Sequence, residues 1–325
     1  MSGRTVLIVG AALVVTFVAV VQVLASRREA AIAVEIAPGG QFINVNGRKV
    51  HAFVAGSGPD LVLIHGASGN IRDMQFTLIP LLTDRYRVIA FDRPGMGFTD
   101  PDPACAGVFT TCDESPAEQA ILLQAAAAQL GADRPIVLGQ SYGGAVALAW
   151  ALERPDNIAA VVYISGVSEP WPGKLDWLYR VNGSLTGGAV LPPLITAFVP
   201  DSYLTAAANS VFAPQSAPAG YADFIEPRLA IRRSSLRANA RQVNGLRPHI
   251  VAQSARYGDI TLPVEIVHGD ADTIVPLEIH SIPLSRQIAG ANLVVLPGIG
   301  HMPHHVAADA VVAATDRAAT RAGLR

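Results

Sequence analysis

The sequence predicts an α/β fold in which a mostly parallel central sheet is flanked by helices, with an inserted helical lid and an N-terminal transmembrane helix. Six short apolar runs alternate with helix-like segments, which is typical of parallel strands that are buried on both faces and joined by crossover helices. This rhythm stops between residues 168 and 261, where no strand-like run occurs. The six runs are LVLIH (61–65), RVIAF (87–91), PIVLG (135–139), AAVVYIS (159–165), PVEIVHG (263–269) and NLVVLPG (292–298).

The chain opens with an uncharged segment that covers residues 5–26. As a helix, this segment would extend about 33 Å, close to the thickness of the hydrocarbon core of a bilayer. A cleaved signal peptide usually has a shorter apolar core, and a buried soluble helix would show a polar stripe that is absent here. We therefore assign residues 1–28 to a membrane anchor, with a signal segment as the alternative. Residues 29–40, which end in Pro-Gly-Gly, are assigned to a tether.

The side of the membrane on which the remaining residues lie is less clearly indicated. Arg27 and Arg28 outnumber Arg4 and the terminal amine, which favours a cytoplasmic domain by the positive-inside rule. A short basic start followed by an apolar segment is, in contrast, typical of exported proteins. Cys105 and Cys112 lie seven residues apart in a loop and form either a disulfide, which needs an oxidising compartment, or two free thiols. Both sides stay open, and the exported side is favoured.

The globular part is predicted to begin with a β-hairpin, in which Asn46-Gly47 joins two alternating runs. Helix-like segments at 73–83, 115–131 and 142–153 separate the strands that follow. The stretch without strands contains Gly and Pro clusters, two of the three tryptophans and a helical run from Tyr221 to Leu246. The sequence therefore predicts a core made of residues 41–167 and 262–325, interrupted by a helical lid at 168–261.

The overall charge argues against a nucleic-acid partner. The formal net charge is -2 and the pI is about 6.4, whereas proteins that bind nucleic acids present a basic face. Six arginines between Arg228 and Arg247 are spaced as on a helix and mixed with apolar residues. We interpret them as the solvated face of one or two helices.

The strongest chemical signal is the pentapeptide Gly139-Gln140-Ser141-Tyr142-Gly143. It directly follows a predicted strand and directly precedes a predicted helix, and a turn this sharp holds the central serine exposed in a strained backbone conformation. The helix N-terminus also directs free N–H groups towards that position. Ser141 is therefore the candidate nucleophile.

A serine hydroxyl needs a neighbouring base that is itself oriented by a third group. Asp272 follows the strand at 263–269, and His301 follows the last strand. The carboxyl ends of parallel strands meet at one edge of the sheet, so the two side chains are expected close to Ser141. We predict that His301 accepts the serine proton and that Asp272 orients the imidazole ring.

The motifs GQSYGG, HGDADTIVP and GIGHMPHH, together with HGASGN and FDRPGMGFTD, resemble those of the α/β-hydrolase fold family over about residues 41–320. The resemblance implies a serine hydrolase similar to carboxylesterases. The family pattern G-x-x-D-x-x-x-P matches Gly269, Asp272 and Pro276, and so favours Asp272 over Asp270 as the acid. Glu169 occupies a rarer acid position of the family.

The resemblance also implies an oxyanion hole made of two backbone N–H groups. One belongs to Tyr142, the residue after the nucleophile, and the other to Ala67 in the His65-Gly66-Ala67 segment. His65 is expected to form structural hydrogen bonds, and the Asp92-Arg93-Pro94-Gly95 turn is expected to shape the neighbouring loop.

No cofactor and no metal are predicted. A G-x-G occurs at 95–97, but Asp100 stands where a dinucleotide-binding loop needs glycine. His301 and His305 have the spacing of a zinc-binding pair, but no glutamate follows the first histidine and Pro303 disfavours a helix through them. His304 and His305 are expected to support the base or to line the pocket.

The predicted reaction is hydrolysis of an ester of a small to medium apolar carboxylic acid through an acyl-enzyme. Family members that act as epoxide hydrolases or haloalkane dehalogenases use an aspartate nucleophile, which Ser141 excludes here. Cleavage of a carbon–carbon bond in a β-diketone-like ring-cleavage product is the alternative. A cofactor-free haloperoxidase or perhydrolase and a non-catalytic membrane-anchored binding protein are further alternatives. The expected partners are a small-molecule substrate and the membrane; the sequence does not predict an oligomeric state.

Overall fold

The computed structural model describes residues 2–325, which form one eight-stranded sheet with flanking helices. The strands are β1 (Gln41–Val45), β2 (Arg48–Ala55), β3 (Asp60–Ile64), β4 (Arg87–Phe91), β5 (Ile136–Gln140), β6 (Ala160–Ile164), β7 (Val264–Gly269) and β8 (Asn292–Leu296).

The strand order is β1-β2-β4-β3-β5-β6-β7-β8. β1 and β2 form the predicted hairpin and pair antiparallel with each other. β2 also pairs antiparallel with β4, whereas all other neighbouring strands are parallel. The predicted α/β fold with a mostly parallel sheet is confirmed.

Helices cover both faces of this sheet. Their bounds are α2 (Ile71–Phe76), α3 (Leu78–Leu82), α4 (Pro116–Gln129), α5 (Tyr142–Glu153), α11 (Ser281–Gln287), α12 (Pro303–Val306) and α13 (Ala308–Arg321), and α1 and α6 to α10 are described below.

The core lies in two apolar layers, one on each face of the sheet. Alternate residues of β3 divide between them, because successive side chains of a strand point to opposite faces. Val62 and Ile64 pack with α4 and α5 in one layer, and Leu61 and Leu63 pack with α3 and α13 in the other. Burial on both faces explains why the strands appear in the sequence as continuous apolar runs.

Residues 168–261, which we call the insertion, leave the core after β6 and return before β7. Within the insertion, only helices and connecting turns are present. The helical run predicted from Tyr221 to Leu246 is broken, because Glu226 adopts a positive φ of 52° immediately before Pro227. Its helices are α6 (Trp177–Gly183), α7 (Leu185–Phe198), α8 (Asp201–Ser210), α9 (Tyr221–Ile225) and α10 (Arg233–Ser254).

The N-terminal helix α1 (Gly3–Glu35) is long and apolar enough to cross a membrane. The tether predicted for residues 29–40 is not observed as such, because α1 continues through its first seven residues. Charged side chains end an apolar run in the sequence, but they do not end a helix. The continued helix is held in place because Ile32 and Ile36 are buried against Leu229 of the insertion. The apolar segment is therefore continuous with a docked stretch of the same helix.

The arginines that we interpreted as a solvated helix face instead hold parts of the structure together. Arg233 donates two hydrogen bonds of 3.1 Å from Nε to the carboxylate of Glu29, and Arg228 pairs with Glu35. Arg241 is buried and donates to backbone carbonyls of the loop closed by the Cys105–Cys112 disulfide. The solvated-face interpretation is therefore wrong for these three side chains.

Candidate active site

Ser141 lies at a sharp turn between β5 and α5, with φ 53° and ψ -120°. The positive φ is strained for a residue with a side chain. The turn is closed so tightly that a Cβ at Gly139 would lie 2.1 Å from the carbonyl oxygen of Gly143, and one at Gly143 would lie 2.2 Å from that of Ile64. Glycine is therefore required on both sides of Ser141, as the pentapeptide predicted.

Gly143→Ala is expected to lower the free energy of unfolding by about 3 kcal/mol, because the new methyl group would meet the backbone of β3. Chemical unfolding of the full chain in detergent micelles would measure the loss. Gly258→Ala is the matched control, since a Cβ there meets open space at an ordinary φ, and its effect should stay within about 0.5 kcal/mol. Equal unfolding midpoints for the two variants would contradict this account of the turn.

Asp272 and His301 meet at the carboxyl edge of the sheet. His301 Nδ1 lies 2.7 Å from Asp272 Oδ2, and both side chains are buried. Their loops are joined by a 3.0 Å hydrogen bond from the Ala271 N–H to the Ile299 carbonyl. A His301 ring that donates Nδ1–H to the carboxylate leaves Nε2 free to accept a proton.

The carboxylate of Asp272 is held ionised by its neighbours. Burial alone would raise its pKa, but hydrogen bonds from His268 and His301 and from backbone amides keep the pKa well below its usual value. Oδ1 accepts from the N–H groups of Ile274 and Val275 at 2.9 Å each. These two donors also fix the orientation of the carboxylate.

The rarer acid position, Glu169, is not paired with His301. Its backbone N–H donates to His280 Nδ1 at 3.1 Å. Burial raises the pKa of the Glu169 side chain to about 7, so it is a poorer partner for an imidazolium than Asp272.

Ser141 and His301 are not hydrogen-bonded to each other in this structure. The Nε2 atom of His301 lies 3.4 Å from Nε2 of Gln140 instead. Catalytic hydrogen bonds are often long or poorly aligned without substrate and shorten when it binds. Any mechanism that uses this pair therefore requires the Ser141 or His301 side chain to reorient.

Two backbone N–H groups near Ser141 lack a partner within residues 2–325. They belong to Tyr142, the first residue of α5, and to half-buried Ala67 in the loop after β3. This loop is close to the serine, because a Cβ at Gly66 would lie 3.1 Å from Cβ of Ser141. Free donors on both sides of a serine are the arrangement that stabilises an oxyanion.

A buried arginine holds the loop after β3 in place. The Arg93 guanidinium donates to the carbonyls of His65 and Gly66 at 3.0 Å each and lies 4.2 Å from the ring of Tyr142. Its backbone N–H donates to His65 Nε2. Burial and the charge of Arg93 lower the pKa of His65 to about 4. His65 is thus a neutral hydrogen-bonding group, in agreement with its expected structural role.

The neighbouring Asp92 also shapes the backbone. Its two carboxylate oxygens accept from the N–H groups of Ile71 and Phe98 at 2.8 Å each. Gly97 approaches so closely that a Cβ there would lie 2.0 Å from Asp92 Oδ2. Asp92 is placed to stabilise the turn that it begins.

Two residues of the insertion take part in this positioning, and sequence reasoning missed both. Asn239 on α10 accepts from the N–H of Ser68 and donates to its hydroxyl, at 2.9 Å each. Gln242, one turn later, accepts from Arg93 at 2.8 Å. The insertion therefore holds in place both Ser68, which follows Ala67, and Arg93, which supports the same loop.

Asn239→Ala is expected to lower kcat about 10- to 100-fold with little change in KM, because displacement of the Ala67 N–H would weaken transition-state binding. Steady-state kinetics on a short ester would measure the split. Asn209→Ala makes the same change at an exposed position on α8 and should leave both constants unaltered. A purely structural role for Asn239 would lower the melting temperature without lowering kcat.

Asp73, His304 and His305 form the one group of described residues whose ligand atoms could surround a metal ion. As arranged, Nε2 of His304 and of His305 lie 3.2 and 2.9 Å from different oxygens of Asp73, and Tyr221 donates to the same carboxylate. This closed network connects α2 and α12 to the insertion. No helix runs through both His301 and His305, as expected, because the single turn α12 begins only at Pro303, where proline suits the first helical position.

A sequence model of the alpha/beta hydrolase fold matches residues 59–308. The chain belongs to the α/β-hydrolase fold family. Haloalkane dehalogenase 2 of Mycobacterium bovis, a relative within this fold, is 27% identical over 82% of this chain and 90% of its own length.

Solved structures share the α/β-hydrolase fold over most of the chain. The esterase EaEST from Exiguobacterium antarcticum has a TM-score of 0.67 and 21% identity over 86% of this chain and 99% of its own. A membrane phospholipase A, described as a novel bacterial virulence factor, has a TM-score of 0.63 and 21% identity over 98% of this chain and 99% of its own. At these identities the similarity shows the fold alone.

Proposed function

We propose that this protein is a serine hydrolase that cleaves an ester of a small to medium apolar carboxylic acid through an acyl-enzyme. The observation that carries the proposal is the strained turn at Ser141 between two unpaired N–H groups, next to a buried His301–Asp272 pair. Within the α/β-hydrolase family, this arrangement supplies a nucleophile, a base and an oxyanion hole at one edge of the sheet.

In the proposed mechanism, His301 Nε2 accepts the hydroxyl proton as Ser141 Oγ attacks the ester carbonyl. The N–H groups of Tyr142 and Ala67 stabilise the negative oxygen of the tetrahedral intermediate. His301 then donates its proton to the departing alkoxide, which leaves the acyl group on Ser141. A water molecule, activated by the same histidine, releases the acid. Asp272 stabilises the imidazolium in both half-reactions.

The identity of the nucleophile favours ester hydrolysis over dehalogenation. The relative named haloalkane dehalogenase 2 matches most of the chain, but the family members with that activity use an aspartate where this chain has Ser141. When a serine attacks a carboxylic ester, the intermediate is an acyl-enzyme in which the acid is esterified to the serine hydroxyl. The esterase with the same fold is in keeping with this choice.

An apolar acyl group is favoured by the part of the insertion that faces the core. Trp171, Leu175 and Tyr179 are partly buried against the apolar layer that contains Tyr142. A second cluster, with Phe212, Tyr221 and Met302, lies beside the His301 loop. Apolar side chains around a few polar groups are typical of a small-molecule site, and we assign the insertion the role of a lid.

We further propose that α1 anchors the protein in a membrane and that the hydrolase domain lies on the exported side. The Cys105–Cys112 disulfide supports that side, since disulfides persist in oxidising compartments. The membrane phospholipase A matches 98% of the chain, which includes most of α1. Protease added outside right-side-out membrane vesicles should digest the domain. Digestion only in inside-out vesicles would place it in the cytoplasm.

The function is tested with the full chain in detergent, using p-nitrophenyl esters of two to ten carbons and a fluorophosphonate probe. We expect a burst of p-nitrophenol followed by turnover, and we expect the probe to label the protein. All three signals should disappear in Ser141→Ala. A β-diketone-like ring-cleavage product, tested in parallel, distinguishes the alternative of carbon–carbon bond hydrolysis, since the same residues serve both reactions. Absence of both labelling and turnover would favour a non-catalytic binding protein.

A further inference from the structure

The insertion packs against a part of α1 that belongs to its uncharged, membrane-crossing segment. Within residues 5–26, Val21 and Ala25 are 4% and 0% exposed. Arg233 of α10 donates to Gln22 Oε1 at 2.6 Å and to Ser26 Oγ at 3.0 Å. The docked segment of α1 therefore begins several residues inside the run that would lie in the bilayer.

Helix α7 is the element that packs most extensively along α1, and the buried Val21 and Ala25 lie in this contact. Near the end of α7, Arg28 donates to the Thr196 carbonyl at 3.2 Å. Near the beginning of α7, the Gly188 carbonyl accepts a hydrogen bond from Arg237 of α10. Arg237 lies one helical turn after Arg233, which contacts Gln22 of α1. The beginning of α7, which directly follows α6, therefore lies on the Val21 side of Arg28.

This end of the insertion exposes apolar side chains. Val190 is 60% exposed and Trp177 is 57% exposed, and residues 181–200 contain no charged side chain. Exposed apolar clusters on a folded protein mark contacts with other molecules or with membranes. We call these side chains the apolar tip, which consists of Trp177, Leu178, Val181, Leu185 and Val190.

The depth of the contact follows from helix geometry. Val21 precedes Arg27 by six residues, or about 9 Å along the helix. The headgroup region of each leaflet is only about 5–7 Å thick. If the pair Arg27 and Arg28 lies at the water boundary, the side of the insertion that covers Val21 already reaches the lipid. Arg180 and Lys174, both exposed near the tip, suit the headgroup layer.

We propose that the apolar tip inserts into the membrane surface and that the protein takes its ester substrate from the bilayer. The occupant of the tip is the lipid layer around α1, because the same helix that crosses the membrane holds the tip beside it. This inference rests on the proposed function and names its substrate class as acyl esters of membrane-partitioned amphiphiles. The insertion that positions Ser68 through Asn239 is then the part of the protein in contact with lipid.

The first test measures insertion without activity. The full chain is reconstituted in phosphatidylcholine vesicles, and its tryptophan emission is compared with that in vesicles of phosphatidylcholine brominated on the acyl chains. We expect bromine to lower the emission and Trp177→Phe to remove most of that decrease, since Trp150 is buried and Trp171 is partly buried. Equal quenching with and without Trp177 would overturn the proposal. If the tryptophan emission instead changes with the protein density in the vesicles and not with bromine, a second copy of the protein covers the tip. That result would also overturn the proposal.

The second test measures substrate access. Leu185→Asp combined with Val190→Asp should lower hydrolysis of a long-chain ester embedded in vesicles at least tenfold and change hydrolysis of p-nitrophenyl acetate less than twofold. Val251→Asp is the matched control, since Val251 is 53% exposed and lies on α10, about 27 Å along that helix from Arg233. This variant should alter neither rate. Equal losses on both esters, or no loss on either, would refute membrane access through the tip. If the unmodified protein hydrolyses neither ester, the proposed function fails, while the bromine experiment still decides on insertion.

Discussion

Replacement of Ser141 by alanine is expected to lower kcat about a millionfold, which is the scale of losses when the nucleophile of a triad is removed. Without Oγ no acyl-enzyme can form, and only binding and the free N–H groups of Tyr142 and Ala67 remain. Active-site titration with the fluorophosphonate probe, followed by turnover measurements at high enzyme concentration, would quantify the loss.

The substitution should leave the structure intact, because alanine removes only a hydroxyl. The melting temperature in detergent should therefore stay within a few degrees of that of the unmodified protein. A folded Ser141→Ala variant that keeps more than a small percentage of its activity would show that another residue is the nucleophile.

Replacement of Asp272 by asparagine is expected to lower kcat about ten-thousandfold, the scale seen when the triad acid becomes an amide. The surrounding donors fix how the amide would lie. The N–H groups of Ile274 and Val275 require an acceptor at the Oδ1 position, so the NH₂ group must face His301 Nδ1. The ring would then carry its proton on Nε2, where it cannot accept the one from Ser141.

The pH dependence of kcat/KM gives a second measurement of the same pair. The pKa of Asp272 is lowered by its hydrogen-bond donors, so its carboxylate stays ionised in mildly acidic solution. We therefore expect this carboxylate to add no acid limb of its own to the kcat/KM profile in the mildly acidic range. Glu169→Gln is the control, and a loss comparable to that of Asp272→Asn would identify Glu169 as the acid.

Much of the geometry around Ser141 could be predicted because each part follows a buried strand. Such strands appear as continuous apolar runs, and the chain emerges from them at a common edge of the sheet. Ser141, Asp272 and His301 therefore occupy recognisable positions in the sequence. The glycines beside Ser141 were equally predictable, since their absent side chains are what the turn requires.

The contacts made by the insertion could not be predicted in the same way. Asn239 is more than 170 positions from Ser68 in the sequence, and a polar residue on a helix gives no sign of what it faces. The continuation of α1 past Arg28 was missed because hydropathy reports where an apolar run ends, not where a helix ends. The break at Pro227 could have been anticipated, since a residue before proline is disfavoured in a helix.

The docking of α1 makes this helix part of the folded domain, with a consequence for removing it. A protein that begins at residue 41 would lose Glu29, Ile32 and Glu35, uncovering Leu229 and leaving Arg233 and Arg228 without these acidic partners. Such a shortened protein would be prone to self-association through the uncovered apolar surface. A soluble form is better sought by replacing exposed apolar residues of α1 with polar ones, while Val21 and everything after it is kept.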